Sequence, residues 1–429
     1  MNAKPPAAVA IRQVDVKRPL RPIADVTPYA RTRVFVFDAG ELIGAVDIRN
    51  AYGPLSATRL RDEIARSLGL TLMTRSVASQ SNAAERTPAL PPGIRVSIVI
   101  PTCNRPDDLR RCLAALETER QSRDVEIIVI DNRPGPSSPT RAVAAEFNGI
   151  VFIEEPRPGL SYARNAGFAA ATGEILIAID DDVTVPEGWL ERLLAPFGRR
   201  DVAVVTGNVL PVELDTEAQA LFEAYGGLGK GFDRLERNGG WFRAMRGAVP
   251  TWKLGATANA AVRASMLTDP AIGVLDEALG AGMPTGCSED TYLFYRILKA
   301  GHTIVYEPTA WVWHRHRRDR AALRRQIYAY SKGHVAYHLT TLLRDGDWRA
   351  LVRLGYSLPR LYAARAYGRL RGWSDYPLSL IVVEIAGTLA GPFALWRARR
   401  RVRRLGPGAR PKARHAVSLE GSLTQTPAA

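Results

Sequence analysis

From Arg95 onward the chain alternates short, continuous apolar runs with amphipathic stretches, and this alternation constrains the fold more than any other feature. The runs VSIVIP, VEIIVID, IVFIEE, ILIAID and VAVVTG are separated by segments of helical spacing, such as those through Leu109–Leu116 and VAAEF. A strand written almost wholly in Val and Ile is buried on both faces. Strand–helix–strand repetition then predicts an α/β fold with a mostly parallel sheet covered by helices on both sides. Ligands of such open sheets gather outside the carboxyl ends of the strands. Polar residues cluster there: Thr102 and Asn104 after the first run, Asp131 and Asn132 after the second, and Asp180-Asp181-Asp182 after the fourth.

The flanks read differently. Arg33–Ile48 alternates around the turn residues Asp38-Ala39-Gly40-Glu41, which predicts a hairpin. A short helix capped by Ser56 follows, with Leu60, Ile64 and Leu68 on one face. Residues 76–93 are poor in large apolar side chains and end in a proline pair, the composition of a linker. The expected organisation is a small N-terminal α+β unit over 1–75, a linker over 76–93, the sheet domain over 94–316, a basic helical region over 317–405 and a disordered tail over 406–429. At 429 residues the chain is long enough for two or three units and for an enzyme's core.

Charge is unevenly spread. The net charge is +15, yet residues 311–429 hold 23 Lys and Arg against 6 Asp and Glu, so the rest of the chain is slightly acidic. The segment Leu378–Trp396 is as long as a membrane-spanning helix requires, but it contains Glu384, two glycines and Pro392. The arginine run RARRRVRR follows at once, and an apolar segment bordered by positive charge suits a helix lying on an anionic, cytoplasmic membrane face. A buried core helix is the other reading of that segment. Three cysteines without metal-ligand spacing, and a start without the apolar core of a signal peptide, fit a reducing cytosol.

Three adjacent carboxylates repel one another unless a cation compensates them, and oxygen ligation favours Mg²⁺ or Mn²⁺. A solvated acidic turn is the plainer alternative for Asp180-Asp181-Asp182. Upstream, RPGLSYARNAGFAAATGE opens a helix at a glycine and sets Arg164 near its start, where a guanidinium meets either an anion or a neighbouring carboxylate. Glu289-Asp290 begin another helix, so Ser288-x-Asp290 is also a capping pattern.

In order, VSIVIPTCNR, VEIIVIDN, GLSYARNAGFAAATGEILIAIDDDVTVPEGWLERL, ANAAVRAS, LDEALGAG and SEDTYLFYRILKAGHTIVYEPTAWVWHRH resemble the family 2 glycosyltransferases, over about residues 95–316. The resemblance implies a GT-A type fold and an inverting transfer of a hexosyl or deoxyhexosyl group from a nucleoside-diphosphate sugar. The acceptor it implies is a glycan or a lipid-linked molecule, in cell-envelope or exopolysaccharide synthesis at the cytoplasmic side of the inner membrane, with peripheral contact or one short hydrophobic segment. It implies donor contacts from Pro101, Thr102, Asn104, Asp131, Arg164, Asp180 and Asp181. It implies a divalent metal, Mn²⁺ or Mg²⁺, on Asp182 with one of His314 and His316, and a general base at Asp290 beside Glu289. A nucleotidyltransferase is disfavoured because PTCNRPDDLRR has no glycine to cradle phosphate. A non-catalytic membrane- or nucleic-acid-binding module would leave the carboxylates without a task.

Overall fold

The computed structural model describes residues 8–80, 90–120, 123–135 and 138–412. Among the described residues twelve strands form two sheets: β1 (Val9–Asp15), β2 (Arg31–Asp38), β3 (Glu41–Ile48), β4 (Val96–Thr102), β5 (Val125–Asn132), β6 (Ile150–Glu155), β7 (Ile175–Ile179), β8 (Val183–Thr184), β9 (Val202–Pro211), β10 (Leu235–Arg237), β11 (Asn259–Arg263) and β12 (Thr303–His314). The large sheet has the order β10-β12-β9-β11-β7-β4-β5-β6, with β8 paired to the end of β12.

The apolar runs form the strands expected of them. β4, β5, β6 and β7 pair in parallel, as do β9 and β12. The sheet departs from parallel at the short β8 and β10, both antiparallel to β12, and in its middle at β11, which lies antiparallel between β7 and β9. Its sequence NAAVR is short and only weakly apolar, so the surrounding strands rather than its own composition define it. Its position matters, because Asn259 pairs with Ile179 and the loop preceding β11 therefore meets Asp180. Separate apolar clusters cover the two faces of the sheet, one centred on Val99, Ile130 and Phe294, the other on Ile98, Leu113 and Trp189.

The N-terminal hairpin is β2–β3, with β1 added in parallel to β2. Ser56 Oγ accepts from Arg59 N at 3.2 Å and starts the helix Ala57–Gln80, which carries Leu60 and Ile64 into the unit's core. That helix runs into the segment expected as a linker, and Leu90 is buried against the large sheet; residues 81–89 lie outside the described residues. The unit packs on β12 through two edge-to-face pairs, Phe35–Trp313 at 5.2 Å and Phe37–Trp311 at 5.6 Å between ring centroids.

After β12 the chain is helical, with main helices Arg320–Asp345, Leu358–Leu370 and Leu378–Leu405. The two glycines of the apolar segment serve close helix packing. A Cβ on Gly387 would lie 2.6 Å from the Tyr328 carbonyl oxygen, and one on Gly391 would lie 2.5 Å from Val335 Cβ. Glu384 is buried, and its Oε2 accepts from Arg365 Nη1 at 2.6 Å. The disordered tail expected from 406 needs a correction over its described part. Gly406–Lys412 follow the sheet domain, with Tyr162 Oη donating to Gly406 O at 2.8 Å and Gly408 N donating to Glu277 Oε1 at 3.0 Å. The tail beyond 412 lies outside the described residues.

Candidate active site

The acidic triplet leaves β7 at the carboxyl edge of the sheet, and each aspartate has its own set of partners, with Arg105 shared by two of them. Asp181 is buried; its Oδ2 accepts from Thr102 Oγ1 at 2.7 Å and its Oδ1 from Arg105 Nη1 at 3.1 Å. Asp182 Oδ2 accepts from the same Arg105 Nη1 at 3.0 Å. Asp180 Oδ1 accepts from Arg164 Nη2 at 2.6 Å. Because β8 pairs with β12 in the register His314↔Val183, the His314 ring stands beside Asp182, with Nε2 3.2 Å from Oδ1.

One ligand atom each from Asp180, Asp182 and His314 lie within 4.8 Å of one another. Asp182 Oδ1 is buried yet accepts no hydrogen bond, although His314 Nε2 is close. Two carboxylates, an imidazole and a buried oxygen without a hydrogen bond fit a small divalent cation. His316 does not join this set. Its Nδ1 meets His314 Nδ1 at 2.9 Å, and its Nε2 faces Glu223 Oε1 at 3.0 Å. Asp180, expected to contact the donor, lies with Asp182 and His314 in this group of possible metal ligands. The two candidate histidines are thus told apart by strand register, which their spacing in sequence could not do.

The electrostatics follow from burial. Burial, reinforced by Asp182, raises the Asp180 carboxyl above its ordinary value against the pull of Arg164. Burial likewise pushes Asp181 up to about 7, with Asp182 adding to it and Arg105 opposing. For Asp182 burial also works upward, but the charge of His314, 3.2 Å away and aided by Arg105, prevails and holds it below the usual carboxylate range. Three neighbouring aspartates thus share charge unequally, as expected for like charges brought together without a full counter-charge.

Arg164 lies almost wholly inside, at 1% exposure. Its guanidinium is committed to the protein: Nη2 to Asp180, and Nη1 to Glu289 Oε1 at 2.9 Å and to Thr257 Oγ1 at 2.7 Å. It joins the two acidic clusters; the neighbouring-carboxylate reading, not that of an anion-facing group, describes it. Asp290 follows Glu289 at the start of the helix Glu289–Lys299, and its Oδ2 accepts from Thr257 N at 3.3 Å. Its Oδ1 accepts from the Thr291 backbone at 2.6 Å. Ser288 does not cap this helix with its side chain; it takes a left-handed conformation, φ 81°, and its Oγ faces Cys287 Sγ at 3.2 Å. A non-glycine residue held there is strained backbone that the surroundings must impose. Glu289 is buried, and burial, with Asp290 adding to it, pushes its carboxyl up to about 7 against Arg164. Burial lowers the Lys230 ammonium from its ordinary value, while the charge of Asp290 opposes this.

The remaining candidates lie on the same edge. Thr102 and Asp131 are paired across β4 and β5, and Pro101 precedes Thr102 on its strand. Asp131 is buried and accepts from Ser138 Oγ, which also caps the helix Pro139–Ala145. Asn104 is exposed in a left-handed turn, φ 55°. Residues not singled out from sequence are Arg105, Thr257, Glu223 and Lys230. Arg105, as the first cation after β4, carried a readable signal; Thr257 and Glu223 are polar only by context.

The family model described as Glycosyl transferase family 2 matches residues 97–267. The chain is 30% identical over 264 residues to the pre-mycofactocin glycosyltransferase of Mycobacterium tuberculosis, an alignment covering 60% of this chain and 50% of that protein. It therefore spans about half the length of that relative. It is 28% identical over 307 residues to the succinoglycan biosynthesis protein ExoM of Rhizobium meliloti, covering 70% of this chain and 82% of that one. Among solved structures, the mannosyltransferase PcManGT from Pyrobaculum calidifontis, in complex with GDP-Man and Mn²⁺, aligns over 77% of this chain and 96% of that chain, with 16% identity and a TM-score of 0.47.

Proposed function

We propose, from the match of residues 97–267 to glycosyl transferase family 2, that the chain is an inverting transferase using a nucleoside-diphosphate sugar. The transferred group is a hexosyl or deoxyhexosyl unit, and the acceptor is a hydroxyl of a glycan or lipid-linked molecule in cell-envelope or exopolysaccharide synthesis. The observation that carries this reading is the junction at Arg164 and Thr257, which sets a carboxylate group suited to a cation beside one suited to proton removal.

Asp180, Asp182 and His314 would hold Mn²⁺ or Mg²⁺. A bound divalent ion there supplies charge neutralisation for the departing diphosphate. Thr102, Asn104, Pro101 and Asp131 line the edge where the nucleoside would lie, with Asp131 suited to accept a hydrogen bond from the base. Asp290, half-buried and oriented by Thr257 and Thr291, takes the proton of the attacking hydroxyl. Glu289, fixed by Arg164, holds the start of that helix in place.

Transfer or hydrolysis with a panel of nucleotide sugars and Mn²⁺ or Mg²⁺ tests the reading. Metal-dependent release of a nucleoside diphosphate is the expected result. Absence of release with every donor and either metal would overturn it.

The same proposal places the enzyme on the cytoplasmic face of the inner membrane. Leu378, Val382, Ile385, Leu389, Phe393 and Trp396 recur at helical spacing on the exposed face of Leu378–Leu405, with Leu389 75% exposed. Arg397, Arg400, Arg401 and Arg404 follow on the same helix, beside a cavity of about 400 Å³. An apolar stripe ending in arginines suits an anionic bilayer surface. Vesicles containing anionic phospholipid should sediment with the protein and release Leu389→Glu/Phe393→Glu; equal retention of both proteins would overturn the membrane contact.

A further inference from the structure

The N-terminal unit reaches the candidate metal group through a chain of polar contacts that crosses between the two sheets. Arg33, on β2, bridges two carboxylates: Nε donates to Asp47 Oδ1 at 2.7 Å, and Nη1 donates to Glu223 Oε2 at 2.6 Å. The other oxygen of Glu223 faces His316 Nε2 at 3.0 Å, and His316 Nδ1 faces His314 Nδ1 at 2.9 Å. The His316 side chain is fully enclosed, with 0% exposure, and Phe222 packs against it edge-to-face at 4.8 Å between centroids.

Hydrogen-bond bookkeeping gives this chain a direction. A carboxylate only accepts, so Glu223 takes a proton-bearing Nε2 from His316. His316 Nδ1 is then free to accept, and His314 must donate to it from Nδ1. In the neutral ring, the form that a cation requires, the lone pair of His314 is left on Nε2, the atom that stands 3.2 Å from Asp182. That is the form in which an imidazole ligates a cation. Histidine ligands are held in this way by a carboxylate behind the ring, which fixes the tautomer and the ring orientation. Here a second histidine is interposed, and the carboxylate is in turn held by an arginine from another structural unit.

We propose that Arg33, Glu223 and His316 are positioning residues for His314, and that the N-terminal unit serves the reaction by completing this chain. The inference rests on the divalent metal of the proposed function. It assigns a task to a unit outside the family-matched segment, which begins at residue 97. Docking of the unit by Phe35–Trp313 and Phe37–Trp311 on β12, the strand that ends at His314, serves the same end.

The test is Mn²⁺ affinity of the full chain, read by titration calorimetry and by the electron paramagnetic resonance of free Mn²⁺, with no sugar donor present. Glu223→Gln should weaken Mn²⁺ binding by about 10–100-fold, the usual effect of losing a carboxylate behind a ligating histidine. Glu223→Asp should recover part of the loss. Arg33→Gln, which leaves the histidines and Glu223 intact, is the second variant, should the first fail to fold; it should weaken binding less, and Arg33→Lys less again. A merely architectural role would lower the melting temperature and leave the Mn²⁺ affinity of the folded protein unchanged, which would overturn the proposal. Failure of the wild type to bind Mn²⁺ would overturn the metal reading and this inference with it, whereas wild-type binding matched by both Gln variants would overturn this inference alone.

Discussion

The triplet Asp180–Asp182 and the pair Glu289–Asp290 meet at one guanidinium, yet their surroundings differ in kind. Around the triplet stand a histidine, an arginine shared by two aspartates and a buried Asp182 oxygen that accepts no hydrogen bond. Around the pair the oxygens have partners: Glu289 has Arg164, and Asp290 has the Thr257 and Thr291 backbones. Carboxylates grouped with an oxygen left over are arranged for a cation. A carboxylate oriented by backbone donors, beside a neighbour whose burial raises its pKa, is arranged for proton transfer. Acidity alone therefore does not define a task; the donor set around each oxygen does.

That contrast can be broken most severely at the shared residue. Arg164→Ala removes the partner of both half-buried Asp180 and buried Glu289, so unfolding free energy should fall by about 3 kcal/mol. Denaturation that shows a loss under 1 kcal/mol would mean that the junction is dispensable. Asp290→Asn comes next: turnover should fall by about 10²–10⁴-fold with little change in KM for the donor. Loss of donor affinity with turnover preserved would move Asp290 to the binding side of the comparison.

A smaller effect separates the clusters by pH. The Glu289 carboxyl is raised from 4.5 to about 7. A carboxyl raised on folding binds its proton more tightly in the native state. Its stabilising effect is therefore complete below about pH 4.5 and is lost as pH climbs through about 7. Denaturation of the metal-free protein should show a steeper loss of stability between about pH 5 and pH 8 for the wild type than for Glu289→Gln, and parallel curves would refute the shift. The smallest effect is that of Thr102→Val, which deletes one buried hydrogen bond to Asp181 and should cost about 1 kcal/mol in thermal unfolding. No measurable cost would mean that Arg105 alone satisfies Asp181.

Much of this architecture was legible because strands buried on both faces must be apolar throughout. VSIVIP, VEIIVID and ILIAID therefore located the sheet edge at which Thr102, Asp131 and Asp180 stand. The antiparallel β11 was not legible, since NAAVR owes its strand conformation to β7 and β9 on either side. Nor was the division between His314 and His316, which depends on pairing with Val183, 131 residues earlier in the chain. Arg164 was visible as a cation near a helix start, but its commitment to two carboxylates depends on Glu289, distant in sequence and adjacent only in the fold. The helix Leu378–Leu405 shows the same limit: its glycines weakened the case for a span in sequence, and in the fold they are where the neighbouring helix approaches.

The central claim is that the two acidic clusters carry separate tasks, and side-by-side Mn²⁺ titration of Asp182→Asn and Asp290→Asn tests it most directly. Asp290→Asn should bind Mn²⁺ as the wild type does, while Asp182→Asn should lose most of its affinity. Equal loss in the two variants, or binding by Asp182→Asn at wild-type strength, would contradict it.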